Sequence, residues 1–472
     1  EALGVPVFMG YIGFKTETSR WKAATRMSPA ELAVGVGLRE LDGFVEPVYV
    51  GGLEVLSNVE SHIGAPVKAI RPYPPGVRRL ARRVARWLEL RRTPPAEQRI
   101  AILLYNYPPG EGNLGAAGYL DTLASLRRFL LLLRERGYAV EVPEGDLADF
   151  LLAHGVVSSP TWVAPGGLRY PLADYLRRYW ELPSRVRHQI EAAWGPPPGT
   201  ISVEDGAFVI PGVRLGNVFV GVQPSRGVHE DPARAHHDLE LPPHHAYLAV
   251  YFYLQDHFRA HALLHFGMHG SLEFTPGKEN LVDAEDFPAL LLGDIPHVYY
   301  YWVGNASEGT IAKRRGQAVL VSYASPPVEE AGLYGDLLEV EDRLRELARA
   351  EEGERHALWA EIRERARARG IEAESPEELA AELQHLKEAL IPTGLHVFDR
   401  GLEGEALISY FSALLEGGYP PGAPPEFTAS DEESRARRKA LLARFVAGET
   451  GILPPEVEGA FRDLLDRVRG GR

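Results

Sequence analysis

Residues 99–142 read RIAILLYNYPPGEGNLGAAGYLDTLASLRRFLLLLRERGYAVEV. The run Arg99 to Tyr105 has the continuous apolar character of a strand buried on both faces. Ala117 to Arg136 follows with leucines at three-to-four spacing, which predicts a long helix closed by Gly137. Ala139 to Val142 then predicts a second strand. Strand, helix, strand is a βαβ unit, so the fold class is α/β: several layered domains with mostly parallel sheets. The loop inside this unit matches G-x-G-x-x-G at Gly110 to Gly115, and Glu141 stands where a ribose-binding acid would be. Pro108 and Pro109 lengthen the turn, and ordinary turn chemistry accounts for three glycines. Dinucleotide binding therefore stays an alternative to a plain βα turn.

Outward from this unit, strands are expected at Val5 to Phe8 and Val45 to Val50, with a helix from Pro29 to Leu41. Ser28 suits its N-cap, Pro29 its first position and Glu31 its third. An arginine-rich helix is expected from about Val77 to Arg91, its arginines forming a solvated face. Residues 150 to 200 read as a connector rich in proline and aromatic residues. A second α/β unit follows, with strands at Phe208 to Ile210, Val218 to Val222, Ala262 to Phe266 and Val298 to Trp302, and a helix from Pro242 to about Ala260. Asp336 to Arg369 is charged, amphipathic and helical, and short helices end the chain. The expected division is a small α/β region over 1–75, a βαβ-containing domain plus connector over 76–200, an α/β core over 201–335 and an amphipathic helical C-terminal region over 336–472.

Composition narrows the function classes. At about 150 residues per domain, 472 residues suggest about three domains. With 45% hydrophobic and 25% charged residues the chain has ordinary globular composition, which excludes wholesale disorder. The longest apolar run, Ala246 to Leu254, falls well short of the ~20 residues of a membrane span. A net charge of −14 argues against nucleic acid as a partner. There is no cysteine, which removes disulfides, thiolate metal sites, iron–sulfur clusters and a thiol nucleophile together. The chain opens at Glu1, and Val5 to Phe8 reads as a strand rather than a signal sequence. A cytoplasmic protein, or a segment of a longer one, is expected.

Ten of the sixteen histidines lie between His229 and His297. His257, His261, His265 and His269 recur every fourth residue, but Gly267 and Gly270 break any common helix. His257 and His261 are expected at a helix end or the surface. The sharper feature is His265-Phe266-Gly267-Met268-His269-Gly270-Ser271-Leu272-Glu273-Phe274-Thr275-Pro276-Gly277-Lys278. A strand delivers His265 to its carboxyl edge, where ligands of open α/β sheets bind. His269 and Glu273, four apart, would converge if Ser271 onward forms a helical turn, and could ligate a cation or accept protons from a ligand. A capped turn with a buried histidine would read the same way. The stretch is not a P-loop: six residues separate Gly270 from Gly277, and Glu279 stands where serine or threonine should bind magnesium. Two further clusters follow strand positions: Gln223-Pro224-Ser225-Arg226-Gly227-Val228-His229-Glu230-Asp231-Pro232 and Asn305 to Arg315. Three strand-end loops carrying acids, bases and glycines suit a polar, carboxylate-bearing ligand.

At these residues the chain resembles the large subunit of the class I metal chelatases, the magnesium chelatase H subunit and CobN cobaltochelatase family. The resemblance runs through Asn106-Tyr107-Pro108-Pro109 to Tyr119, Trp194 to Gly199, Asn217 to Pro224, His244-His245 and Leu264 to Lys278. It continues through Pro296 to Tyr301, Glu308 to Arg315, Pro326-Pro327 and Gly394 to Phe398. It implies a subunit that binds a tetrapyrrole and inserts Mg²⁺ or Co²⁺ as substrate metal, with ATP hydrolysed by separate AAA+ partner subunits. That division agrees with the missing P-loop. The resemblance puts His265, His269, Glu273 and Glu308 at the chemistry, with His269 and Glu273 as metal ligands. It puts Arg226, His229, Glu230, His237, Lys278, Lys313 and Arg314 around the macrocycle, the cations facing its carboxylates. His269 to Phe274, Asn217 to Pro224 and Thr310 to Arg315 look closer to the magnesium type. Arg226-Gly227, Glu230 to Asp238 and Pro242 to Tyr253 look closer to the cobalt type. Family subunits are longer at both ends. Two other readings stay open: a tetrapyrrole carrier without catalysis, and a nucleotide-dependent enzyme built on the 110–115 loop.

Overall fold

A computed structural model describes residues 5–470 apart from 58–65, 107–113, 158–166, 227–237, 268–269, 303, 324, 327, 331–335, 389 and 393. The chain divides into two compact units. One is Glu1–Ala324 with His396–Asp399; the other is Ser325–Leu395 with Arg400–Arg472.

The first unit begins with β1 (Val7–Glu17), β2 (Phe44–Ser57) and β3 (Val67–Pro72), a three-stranded sheet in that order. Then come β4 (Ile100–Leu104), β5 (Leu168–Pro171), β6 (Val203–Glu204), β7 (Ala207–Ile210), β8 (Gly212–Leu215) and β9 (Val218–Val222). The series ends with β10 (Ala262–Phe266), β11 (His297–Trp302) and β12 (Val319–Tyr323). The main sheet has the order β12-β11-β10-β4-β9-β8 and is parallel except for the β8–β9 pair. β4 and β9 are buried at every residue, as strands covered on both faces must be. Alternation divides the sheet's residues between two cores. Ala101, Leu103, Phe219 and Leu263 join the all-buried helix His245–Phe252 on one face. Ile102, Leu104, Val220, Leu264 and Phe266 meet Leu126, Leu130 and Leu133 of helix Thr122–Glu135 on the other. Asp121 caps that second helix by accepting from the Ala124 N–H at 2.9 Å.

The strands expected at 99–105, 218–222, 262–266 and 298–302 are present, and several other expectations change. Ala139 to Val142 forms no strand. Its backbone meets the β8–β9 turn at two points only, Asn217 N–H to Ala139 O at 2.8 Å and Glu141 N–H to Leu215 O at 3.4 Å. β8 takes the place beside β9, and this segment touches β8 and its turn through these two bonds alone, too few for a ladder. Residues 150–200 are more than a connector: β5 pairs with β7 in a small antiparallel sheet, and Tyr170, Tyr175, Tyr179, Val186 and Ile190 enter the core. The helix anticipated over Pro242–Ala260 runs only His245–Phe252, capped by His244, and relaxes into a π turn over Tyr253–His257. Most consequentially, the arginine-rich helix, Pro74–Arg92, does not hold all its arginines in solvent. Arg79 and Arg83 are buried, Arg83 against the Glu46 carboxylate and Arg79 against Gln317. The border anticipated at residue 200 runs through one sheet, since β4 and β9 are neighbours.

The second unit carries the amphipathic helices. Asp336–Arg349, Glu352–Ala368 and Pro376–Glu388 pack around Val340, Leu347, Ile362 and Leu379, with a short pair β13 (Val328–Glu330) and β14 (Leu390–Pro392). Gly404–Glu416, Glu432–Val446 and Pro455–Gly470 share a core of Phe411, Leu415, Leu442 and Phe461.

Candidate functional site

From β4 the chain passes to β9 on one side of it, and then to β10 on the other. The carboxyl ends of β4 and β10 therefore flank the point where the winding reverses, the place where open α/β sheets leave a crevice. Tyr105, Gln223, His265, Gly267 and Tyr299 line a small cavity there. Parity and register deliver these groups. Leu263 and His265 share one face of β10; His297, Tyr299 and Tyr301 share the same face of β11. Parallel pairing sets His265 beside Tyr299 and Leu263 beside His297.

A buried relay follows. His297 Nδ1 lies 2.6 Å from the Gly316 carbonyl, which can only accept, so this nitrogen carries a proton. Complete burial pushes the His297 ring down to about 3, so it is neutral and its Nε2 accepts from His265 Nδ1 at 2.6 Å. Burial and then the neighbouring ring hold His265 well below the usual histidine range. Its Nε2 therefore keeps a lone pair, which faces the Gln223 amide nitrogen at 3.2 Å and the Tyr251 hydroxyl at 3.5 Å. Gln223 is itself fixed: its amide donates to Tyr251 at 2.7 Å and its carbonyl accepts from the Ser271 N–H at 2.7 Å.

Glu273 sits in the short 3-10 turn Leu272–Phe274 and is wholly buried. The Tyr299 hydroxyl donates to its Oε2 at 2.7 Å and accepts from the Gly270 N–H at 3.1 Å. Oε1 has no hydrogen-bond partner among the described residues. Desolvation outweighs the favourable hydrogen bonds and pushes the carboxyl up to about 7. Arg315 straps the turn, its guanidinium donating to the carbonyls of Glu273 and Thr275. Arg226 donates to Phe274 O at 2.8 Å from the other side. Gly270 is required by space. A Cβ there would lie 2.7 Å from the Tyr299 hydroxyl and 2.8 Å from Gln223 Oε1. Gly270→Ala should therefore displace both contacts of Glu273's turn, destabilise the chain by about 1–3 kcal/mol and lower the Glu273 pKa as the turn opens. Carboxyl titration by NMR or infrared spectroscopy would check it; an unshifted Glu273 would show that the turn accommodates a methyl group.

The described parts of the three loops meet: Gln223 and Arg226 touch 271–274, and Arg315 touches 273–275. His265 and Glu273 belong to the assembly. Glu308 stands beside it, accepting from Asn305 Nδ2 at 2.6 Å and adding a negative field at Glu273. Three anticipated cations are engaged elsewhere. Lys278 donates to the carbonyls of Trp21, Lys22 and Ala24 at 2.7–3.0 Å. Arg226 also donates to Asp238 O and Leu241 O, and Arg314 forms a fork on Glu40. These side chains hold backbone or a protein carboxylate, because their buried donors need fixed acceptors. Lys313 lies half-buried on helix Ala306–Arg315. His229, Glu230, His237 and His269 lie outside the described residues, as does most of the 110–115 loop. His261 is buried rather than superficial, its Nδ1 accepting from Arg99 N–H at 2.9 Å, while His257 meets Asp174 at 2.9 Å near the surface. Residues not anticipated as site members are His297, Tyr299 and Tyr251, while Gln223 and Arg315 lie in the two flanking clusters with no role read for them from the sequence. The alternation His297, Tyr299, Tyr301 carries the signal for two of them.

Fold and site together define a doubly wound α/β protein with a buried polar cluster at the switch point between β4 and β10. The chain belongs to the CobN/magnesium chelatase family, whose model matches residues 1–445. It is 35% identical to the magnesium-chelatase H subunit of Rhodobacter capsulatus over 98% of this chain and 40% of that protein. It is 36% identical to the aerobic cobaltochelatase subunit CobN of Pseudomonas aeruginosa over 82% of this chain and 32% of that one. The solved catalytic subunit of cobaltochelatase from Mycobacterium tuberculosis superposes with a TM-score of 0.77 at 28% identity, covering 100% of this chain and 44% of that one. The chain thus spans less than half the length of these relatives. Among the described residues no helix is long and apolar enough to cross a membrane.

Proposed function

We propose that this chain carries the tetrapyrrole-binding, catalytic part of an ATP-dependent metal chelatase, acting in the cytoplasm with separate AAA+ subunits that hydrolyse ATP. The observation that carries the reading is Glu273: a buried carboxyl at about 7, one oxygen fixed by Tyr299 and the other open among the described residues. Metallation exchanges two pyrrole N–H protons for one divalent cation, so charge balances only if two protons leave. A carboxyl that titrates near 7 takes such a proton at working pH and releases it again. His265, neutral and on the same edge, positions Gln223 and Tyr251 beside that carboxyl through its Nε2, and the second proton passes to water. His269 and Glu273 offer imidazole and oxygen to the incoming metal. Mg²⁺ gives up water reluctantly, which gives coupled ATP hydrolysis a task. With Arg226, Lys278 and Arg314 engaged, Lys313 faces the substrate's carboxylates. His229, Glu230 and His237 stay in this reading as substrate contacts. Magnesium and cobalt both stay in it, since relatives of each kind match at nearly the same identity.

The second reading is a carrier that binds tetrapyrrole at the same residues without metallating it. Titration with deuteroporphyrin IX, followed by the Soret band, tests the shared part. Saturable binding at micromolar concentration is expected, equal in the Glu273→Gln variant. An unaltered Soret band up to millimolar porphyrin would sink both readings.

A further inference from the structure

We infer that Tyr119 and Trp302 form an aromatic platform for the flat face of the macrocycle, at the same carboxyl edge of the sheet that carries His265. The inference rests on the tetrapyrrole reading and adds the subsite that holds the ring's π face. Trp302 is the last residue of β11, and Tyr119 lies in the loop between β4 and helix Thr122–Glu135, so both stand at the carboxyl edge of the sheet. The loop of Tyr119 walls the same crevice: Ala117 lies 3.5 Å from where a Cβ on Gly267 would be. The two rings are 4.9 Å apart, inclined at 50°, and both are half-buried, whereas Tyr300 and Tyr323 behind them are buried.

The backbone supplies an independent argument. Tyr119 has φ +60°, a conformation a bulky residue rarely adopts, although Gly118 stands next to it. Three hydrogen bonds hold it there. His396 N–H donates to Tyr119 O at 2.8 Å, Asp121 N–H to His396 O at 2.9 Å, and the Tyr323 hydroxyl to Gly118 O at 2.9 Å. A turn alone would place glycine at this φ. Backbone strain of this kind collects at ligand sites. Gly304 completes the arrangement, since a Cβ there would come within 2.3 Å of the Trp302 ring. Half-buried aromatic rings, held from behind, stack on flat π systems in offset or tilted geometry.

The test is a deuteroporphyrin IX titration of the unaltered chain, Trp302→Leu, Trp302→Phe and Tyr119→Gly, each checked for its fold by circular dichroism. Trp302→Leu and Tyr119→Gly should weaken binding about tenfold and reduce the Soret shift, and Trp302→Phe should stay within about threefold. Glycine takes φ +60° freely, so Tyr119→Gly decides the matter even if Trp302→Leu does not fold. Normal binding by the unaltered chain together with equal affinity and equal Soret shift in Tyr119→Gly would overturn the platform and leave the tetrapyrrole reading standing. No binding by the unaltered chain would overturn both.

Discussion

On the proposed chelatase reading, Glu273→Gln is expected to lower metal insertion, assayed with the partner ATPase subunits, at least about a hundredfold, the scale of a lost proton acceptor, while porphyrin affinity stays within about threefold. Glutamine keeps the shape and an acceptor for the Tyr299 hydroxyl, so the turn holds; what it loses is the proton. In the unaltered chain the insertion rate should rise with pH through about 7, as burial holds the carboxyl protonated below that. Stability should move the opposite way. The carboxyl's folded value, about 7, lies above its ordinary 4.5, so the folded chain holds a proton that the unfolded chain has already released across this window. This contribution to stability is complete below about pH 4.5 and declines as pH rises towards 7, by roughly 3 kcal/mol in all. Glu273→Gln carries no such penalty. It should therefore melt higher than the unaltered chain at pH 8 and level with it at pH 4.5. A variant more stable than the unaltered chain is the signature of a charge kept buried for chemistry. Urea melts at the two pH values decide it: equal stabilities at pH 8 would show that Glu273 ionises without cost and is no tuned base.

Legibility in the sequence follows the physics of each feature. β4, β9, β10 and β11 are readable because strands covered on both faces are continuous apolar runs bounded by turns. Ala139 to Val142 has the same local look, but β8 takes the place beside β9 and the segment makes only two backbone bonds to β8 and its turn. His265 and Glu273 stand out through glycines at a strand end. Tyr299 and His297 can be assigned to one face by parity, yet the register that sets His265 against Tyr299 comes from pairing between separate strands. Lys278 is conspicuous because lysine is scarce in this chain, and it does hold a special place. Its acceptors are carbonyls at the end of helix Thr18–Ala23, more than 250 positions away, which no local pattern encodes. The arginines of Pro74–Arg92 depart most plainly from expectation: guanidinium groups bound for a carboxylate or an amide in the core repeat along a helix just as solvated ones do.

Those buried arginines locate the largest expected loss of stability. Arg83 is fully buried, and its guanidinium meets Glu46 Oε2 and lies 3.3 Å from Gly293 O. The other Glu46 oxygen accepts from Trp87 Nε1 at 2.6 Å. Glu46→Leu leaves a cation and an indole N–H without their acceptor inside the protein, which should cost about 3–5 kcal/mol. Glu46→Leu with Arg83→Met replaces the pair by apolar groups of similar size and should recover most of that loss, because an ion pair gains little over the hydrophobic contact that can replace it. The consequence reaches the site. Arg79, one turn before Arg83, holds Gln317, and the residue before Gln317 is Gly316, whose carbonyl orients His297 and through it His265. The double variant should therefore melt near the unaltered chain and keep its porphyrin affinity, while Glu46→Leu alone lowers both. Should Glu46→Leu melt like the unaltered chain, the pair contributes no net stability, and the apolar contacts of helix Pro74–Arg92 alone keep the Gly316 turn in place.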